Sequence, residues 1–245
     1  MLLKTKFYAP PIRDNAIPRQ RLLQRLGSPQ PGQVTLIHAP AGYGKTTLAK
    51  QWLDTLGNPY YWLSLDPQDN EPQRFWRYVC AALGPDIADK AQAQSAEDHI
   101  IKLINYCQDC ASKTLQVLVM DDFHCIQESH LMEQVSWFLD RLPRNLHIVI
   151  TSRCLPQIHV PRRRVRHQLI EIAAQELCFQ STETERFLQQ TLRLNLPADT
   201  IHALHNQTEG WAAALQLAGL SIKDDDSAQA QWLTRSRNQT MMDYL

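Results

Sequence analysis

The chain has 245 residues, enough for one large domain or two small ones. Lys and Arg together number 25, as do Asp and Glu, so the formal net charge is zero and a chain-wide basic field for nucleic acid is excluded. Hydrophobic residues make up 44%, ample for a core, yet no apolar run approaches the roughly 20 residues that cross a bilayer. Residues Met1 to Pro11 hold no apolar segment of signal-peptide length, and a cytoplasmic location is expected. Cysteines stand at 80, 107, 110, 125, 154 and 178. Cys107 and Cys110 form the only C-x-x-C pair, with no second pair to complete a zinc site. Buried free thiols are expected in preference to metal or redox chemistry.

A polar, proline-rich lead precedes a short helix from Arg19 to Leu26, which Pro29, Pro31 and Gly32 end. Val34 to His38 reads as a buried strand. Ala39-Pro-Ala-Gly-Tyr-Gly-Lys-Thr-Thr47 follows, and then a helix from Lys45 with Leu48, Ala49, Trp52, Leu53 and Leu56 on one face. Strand, small-residue turn and helix in this order form a phosphate-binding P-loop. Gly42 and Gly44 permit the tight turn that aims backbone N–H groups at phosphate oxygens. The helix start adds a positive dipole end, Lys45 a charge for the β- and γ-phosphates, and Thr46 a hydroxyl for Mg²⁺. Ala39 occupies the place of the first consensus glycine. The plain alternative is a glycine-rich turn that happens to precede a lysine.

Tyr60 to Leu65 reads as a second strand, Asp66 to Asn70 as a turn, and Pro72 to Leu83 as a helix. Residues 85–96 read as a polar loop, and a helix runs from about Glu97 to Cys110. Leu115 to Met120 is a strand leading into Asp121-Asp122, the Walker B arrangement. Such a strand delivers its carboxylates to the carboxyl edge of a parallel sheet. Asp121 is then the candidate Mg²⁺ ligand, and Asp122 the group that orients or deprotonates the attacking water. An ordinary strand exit has the same local appearance; the preceding P-loop gives the motif its weight.

A helical stripe from Leu131 to Leu142 precedes a fourth strand, Leu146 to Thr151. Arg153, just beyond its tip, is placed to neutralise a γ-phosphate, or is a solvent-facing arginine. Pro161-Arg-Arg-Arg-Val-Arg166 reads as a solvated basic loop, with an acidic partner or nucleic acid as the alternative. A fifth strand spans about Gln168 to Ala173. From there the pattern is helical: a capping box Thr182-x-x-Glu185, a helix opened by Pro197, and an apolar helix from Gly210 to Ile222. Lys223 to Gln229 reads as a charged linker. The last segment keeps its apolar residues to Leu245, and the expectation is a chain cut off within a larger protein.

Several segments together resemble the N-terminal ATPase region of MalT-like transcriptional regulators, the large ATP-binding LuxR-type proteins of the STAND class of signal-transduction NTPases. They are Ile17-Pro-Arg-x-x-Leu-Leu23, the P-loop, Trp62-Leu-Ser-Leu-Asp-x-x-Asp-Asn70, Val119-Met-Asp-Asp-Phe-His124, Ile150-Thr-Ser-Arg153, Glu176-Leu-x-Phe179 and Gly210-Trp-Ala-Ala-Ala-Leu215. The P-loop and Asp-Asp are generic to NTPases, whereas the Trp-Leu-Ser-Leu-Asp, Asp-Asp-Phe-His and Gly-Trp-Ala segments are much more specific. Ala39 is acceptable in that family.

The resemblance implies an α/β P-loop NTPase fold, with a parallel sheet in the order 5-1-4-3-2 flanked by helices and followed by a small all-helical domain. It divides the chain into a nucleotide domain at 1–175, helices at 176–225 and the start of a further domain at 226–245. It implies ATP and ADP as alternating ligands with Mg²⁺, slow hydrolysis by Asp122, Lys45 and Arg153, and self-association in the ATP state. Residues Ala39, Pro40, Ala41, Gly42, Tyr43, Gly44, Lys45, Thr46 and Thr47 would hold phosphates. Ile17, Arg19, Gly210 and Trp211 would lie toward the adenine, with Ala212 where related proteins often carry proline. No role is assigned to Asp66 or Asp69. DNA would be bound only through a C-terminal domain absent from this chain, and no membrane is implied. A small-molecule kinase and a nucleotide-stabilised module without hydrolysis are the rival readings.

Overall fold

A computed structural model describes residues 2–57, 59–84, 95–109 and 114–224. The expected 85–96 loop (except residues 95 and 96), Cys110, and the charged linker and final segment after residue 224 lie outside those residues. Five parallel strands form one sheet: β1 (Val34–His38), β2 (Tyr60–Ser64), β3 (Gln116–Asp121), β4 (Leu146–Ser152) and β5 (Leu169–Ile172). Their spatial order is β2-β3-β4-β1-β5, which read from the other edge is 5-1-4-3-2. Leu36 pairs with Ile150, and Met120 also pairs with Ile150, so β1, β3 and β4 end together at one edge. That shared edge is where the chemistry-bearing residues collect.

Every residue of β4 is buried, as a central parallel strand covered on both faces requires. Side chains alternate between two apolar layers. Leu36, Leu118, Met120, Ile148 and Ile150 meet the helices α3 (Pro72–Leu83), α4 (Ala96–Asp109) and α5 (Ser129–Asp140). Ile37, Val117, Val119 and Val149 meet α1 (Gln20–Leu26) and α2 (Lys45–Leu56). Among the described residues, β5 is followed only by helices, in order α7 (Ala174–Leu177), α8 (Ser181–Arg186), α9 (Ala198–Thr208) and α10 (Ala212–Asp224). Their own core is built from Phe187, Leu188, Ile201, Leu204, Leu215 and Ala218, and Ile17 from the N-terminal segment is inserted into it. No helix among the described residues is long and apolar enough to cross a membrane.

The basic run differs from the expected solvated loop. It forms a helix, α6 (Val160–Val165), because Arg163 is buried and caps the end of α5. Its guanidinium donates to the carbonyls of Leu139 at 3.0 Å and Ser136 at 3.3 Å, and to Asp140 Oδ1 at 2.7 Å. Arg164 grips Glu171 with two 2.7 Å bonds, so the run is largely consumed by the fold. The capping box also shifts: Glu183, not Glu185, accepts from the Gln180 N–H at 2.8 Å. Beyond Arg186 the helix widens into a π-turn, Phe187–Thr191. Among the described cysteines Cys80 and Cys107 are buried as expected, but Cys125 and Cys178 are half-buried and Cys154 is exposed.

Asp66 and Asp69 acquire a structural role. Asp69 is fully buried, accepts from the Asp66 N–H at 2.9 Å and from Arg74 Nε at 3.1 Å, and pairs with the buried Lys6. Lys6 also meets Asp66 at 2.7 Å and lies over the Tyr78 ring. This cluster pins the N-terminal residues to the turn after β2.

His147, at the second position of β4, is fully buried between the Thr35 hydroxyl at 3.0 Å and the Gln30 carbonyl at 2.9 Å. Burial lowers it from an ordinary 6.5 to about 4. Between those values the unfolded chain binds a proton that the folded chain refuses, so stability falls as pH drops from 6.5 toward 4. The loss expected from this group is about 3 kcal/mol. Urea midpoints measured across that window should fall for the wild-type chain and fall less steeply for His147→Gln.

Candidate nucleotide site

The P-loop takes the shape its glycines allow. Gly42 and Gly44 have φ of 78° and 76°, the left-handed region that side chains disfavour. Lys45 opens the 12-residue α2, whose first N–H groups and dipole end face the turn. Its ammonium is buried and donates to the Pro40 carbonyl at 2.9 Å. Burial lowers the Lys45 pKa, with Asp122 and Asp121 pulling it back up and Arg153 pushing it further down. All four expected charges therefore share one field at the carboxyl edge of β3 and β4.

Asp121 ends β3 and is buried. Its Oδ1 accepts from Thr46 Oγ1 at 2.9 Å and from Thr151 Oγ1 at 2.5 Å. Burial raises its pKa, opposed by the Thr151 hydroxyl, while neighbouring Asp122 raises it further. Asp122 departs from strand geometry, with φ of 57°, and its side chain is 47% exposed. That conformation turns the second carboxylate out of the sheet, away from the pose of the first. His124 Nδ1 lies 3.6 Å from Asp122 Oδ1, is buried, and has no hydrogen-bond partner among the described residues. Burial lowers the pKa of His124. Arg153 is exposed at the tip of β4 and makes no ion pair or hydrogen bond among the described residues.

Beside the loop lies a cavity of about 510 Å³. Gly42, Gly44, Thr47, Leu48 and Gln51 form one wall, Arg13, Ile17 and Arg19 a second, and Phe179, Phe187, Thr191 and Ala213 a third. Ile17 and Arg19 thus line it, although the Arg19 head group is already engaged. It donates to Glu183 Oε1 at 3.1 Å and to the carbonyls of Leu177 and Cys178 at 3.0 and 3.1 Å, and lies 4.5 Å from the centre of the Phe179 ring. Asn15 and Thr191 exchange two hydrogen bonds of 2.8 and 2.7 Å, tying the N-terminal segment to the π-turn.

Gly210 and Trp211, expected toward the adenine, are not among its lining residues, because Gly210 packs on Phe179 and Trp211 is held by the P-loop. Trp211 Nε1 donates to the Ala41 carbonyl at 3.2 Å, its ring lies 6.1 Å from that of Tyr43, and the Ala213 N–H donates to the Gly42 carbonyl at 3.1 Å. The helical part is in this way bonded directly to the P-loop. Glu183, Asn15 and Thr191 had no signal in the sequence beyond being polar; Thr151 stood at a strand tip within the Ile150-Thr-Ser-Arg153 segment of the resemblance, where a polar residue can sense a γ-phosphate, with no partner apparent. Their partners are distant along the chain, Glu183 lying 164 residues from Arg19.

The groups present suit a nucleoside phosphate. Left-handed glycines and a helix start suit phosphate oxygens, the apolar walls Ile17, Leu48, Phe179 and Phe187 suit a planar base, and the oxygen pair Thr46 and Asp121 suits Mg²⁺.

Gly210 has φ of 73°, and a Cβ there would sit 2.2 Å from the Phe179 carbonyl oxygen. Gly210→Ala should lower stability by at least the 1–3 kcal/mol, roughly, of a left-handed non-glycine residue. Urea denaturation checks it; an unchanged midpoint would show that the Phe179 segment yields freely.

A family model for an AAA domain matches residues 28–159, a span that includes both the P-loop and Asp121-Asp122. The HTH-type transcriptional regulator MalT of Serratia proteamaculans is 35% identical over 244 residues, covering 94% of this chain and 26% of that protein. The protein of that description from Yersinia enterocolitica is also 35% identical, over 241 residues, with 93% and 26% covered. The chain therefore spans about a quarter of the length of these relatives. The Aeropyrum pernix ORC1 protein, solved in complex with DNA, overlaps 86% of this chain and 63% of its own at a TM-score of 0.49 and 15% identity. With its loop, its Asp-Asp strand and its sheet order in place, this MalT-like chain belongs to the AAA domain family of P-loop NTPases.

Proposed function

We propose that the chain is the ATP-binding, slowly hydrolysing switch module of a MalT-like transcriptional activator, working in the cytoplasm. The observation that carries this reading is the bond of the helical part to the phosphate loop, Ala213 N–H to Gly42 carbonyl and Trp211 to Ala41 carbonyl. A ligand that alters the loop must alter these bonds, so phosphate occupancy has a direct route to the helices. The units are a nucleotide domain at 1–175, a helical domain at 176–225 and a following segment at 226–245. ATP and ADP occupy the cavity, and the ATP state favours self-association. DNA binding and inducer sensing belong to other regions of the relatives' length.

In this site Lys45 leaves the Pro40 carbonyl for phosphate oxygen, a better partner for a half-desolvated ammonium. Thr46 and Asp121 would hold Mg²⁺, which would supply charge neutralisation at the phosphates. Asp122, turned out of the strand and half-exposed, orients the attacking water and accepts its proton. Arg153, uncommitted to any carboxylate among the described residues, answers the γ-phosphate charge. A small-molecule kinase would need a lid carrying arginines, and in the run 161–166 Arg163 and Arg164 are instead committed to Asp140 and Glu171.

Two substitutions test the reading. Lys45→Ala should weaken ADP and ATP binding at least tenfold, roughly, through loss of a charge-assisted phosphate bond. Asp122→Asn should abolish phosphate release and leave ATP affinity within about threefold, since the amide keeps the shape and loses the basic oxygen. Calorimetry and a phosphate-release assay read the two outcomes. Retained affinity in Lys45→Ala would sink the site assignment, and retained turnover in Asp122→Asn the role of Asp122.

A further inference from the structure

We propose that Thr151 is a positioning residue that couples the metal-holding carboxylate to the catalytic one; this rests on the hydrolytic reading above. Thr151 lies on β4 after Ile148, Val149 and Ile150 and is itself fully buried. A valine would fill such a site and follow the strand's own preference. The hydroxyl is therefore the feature that packing does not explain.

A hydroxyl has one proton and two lone pairs, and here both capacities go to adjacent residues of one neighbouring strand end. Thr151 Oγ1 donates to Asp121 Oδ1 at 2.5 Å and accepts the Asp122 N–H at 3.1 Å. Each bond has a distinct consequence. The first, with the Thr46 bond at 2.9 Å, gives Asp121 Oδ1 two donors, which fixes the plane of a carboxylate that would hold a cation. The second holds the peptide of Asp122 where the chain leaves β3. The sheet ladder stops one residue earlier, with Leu65 N–H on the Asp121 carbonyl, so the Asp122 N–H has no ladder partner and Thr151 supplies its acceptor. It also steadies a φ of 57° at a non-glycine residue, a conformation that persists only when its surroundings enforce it. One side chain on β4 thus sets the orientation of the Mg²⁺ ligand and the exit angle of the water-activating residue.

A purely structural hydroxyl would affect folding alone. A positioning hydroxyl affects how much Mg²⁺ strengthens nucleotide binding. The experiment uses the full chain with Thr151→Val, which keeps shape and removes the hydroxyl, and Thr151→Ser, which keeps the hydroxyl. ADP affinity is measured by calorimetry with Mg²⁺ and with chelator, and phosphate release is measured alongside. Thr151→Val should lose roughly tenfold or more of the Mg²⁺-dependent gain in ADP affinity and of turnover. Its affinity for ADP in chelator should stay within about twofold, and Thr151→Ser should track the wild type. Thr151→Ala gives the same comparison where the valine chain fails to fold. An unchanged Mg²⁺ gain in the hydroxyl-free variants overturns the inference while leaving the nucleotide reading standing. So does a serine variant as impaired as the valine one, because the methyl would then be the active feature. A wild-type chain that binds no ADP overturns both together.

Discussion

A carboxylate buried at the end of a parallel strand is stable only where donors surround it, and Asp121 is such a group. Thr46 from α2 and Thr151 from β4 both donate to one of its oxygens. These two bonds tie the start of the P-loop helix, β3 and β4 at a single atom. Burial raises the pKa of this acid, and the Thr151 hydroxyl opposes the rise. The position of Lys45, the turned-out pose of Asp122 and the tip of β4 that carries Arg153 all follow from this arrangement. If the carboxylate lost its donors, the residues arranged about it would lose their common reference.

A second set of contacts joins regions far apart in the chain. Arg19 lies under Phe179 and binds Glu183 together with two carbonyls at the end of α7. Arg21 adds bonds to the carbonyls of Glu176 and Cys178 at 2.6 and 2.7 Å. The N-terminal segment therefore acts as a strap between nucleotide domain and helices. Gln51 on α2 anchors the other side of that strap through the Ile17 carbonyl at 3.0 Å. Strap, P-loop helix and π-turn form three walls of one cavity, which makes the cavity sensitive to the placement of all three. A buried, multiply bonded arginine is well suited to such a joint, because its fixed fork leaves little freedom once its carbonyls are engaged.

Elsewhere the same chemistry stabilises without touching the site. Arg163 caps α5, Asp69 fastens the first residues through Lys6, and His147 stays neutral between a hydroxyl and a carbonyl. Each is a polar group brought inside and hydrogen-bonded rather than left exposed. Their burial explains why a basic run and a pair of acids, suggestive when read as bare residues, prove to be structural.

Much of this protein was legible before folding. The P-loop turn and the Asp-Asp strand exit follow from local features: apolar runs of strand length, glycines at left-handed positions, a helix beginning at Lys45; the strand order was implied by the family resemblance alone. Those features act within a few residues, so sequence alone determined them, down to the bounds of β1 and α3. What required tertiary structure was every assignment that depends on a partner far along the chain. Arg163 reads as solvated until α5 lies beside it, Glu183 as a surface acid until Arg19 arrives, and Thr151 as a strand residue until β3 delivers two aspartates to its hydroxyl. Side-chain chemistry states what a residue can do; the packing of distant segments decides which of those capacities is used, because burial makes an unpaired polar group too unfavourable to leave unmatched.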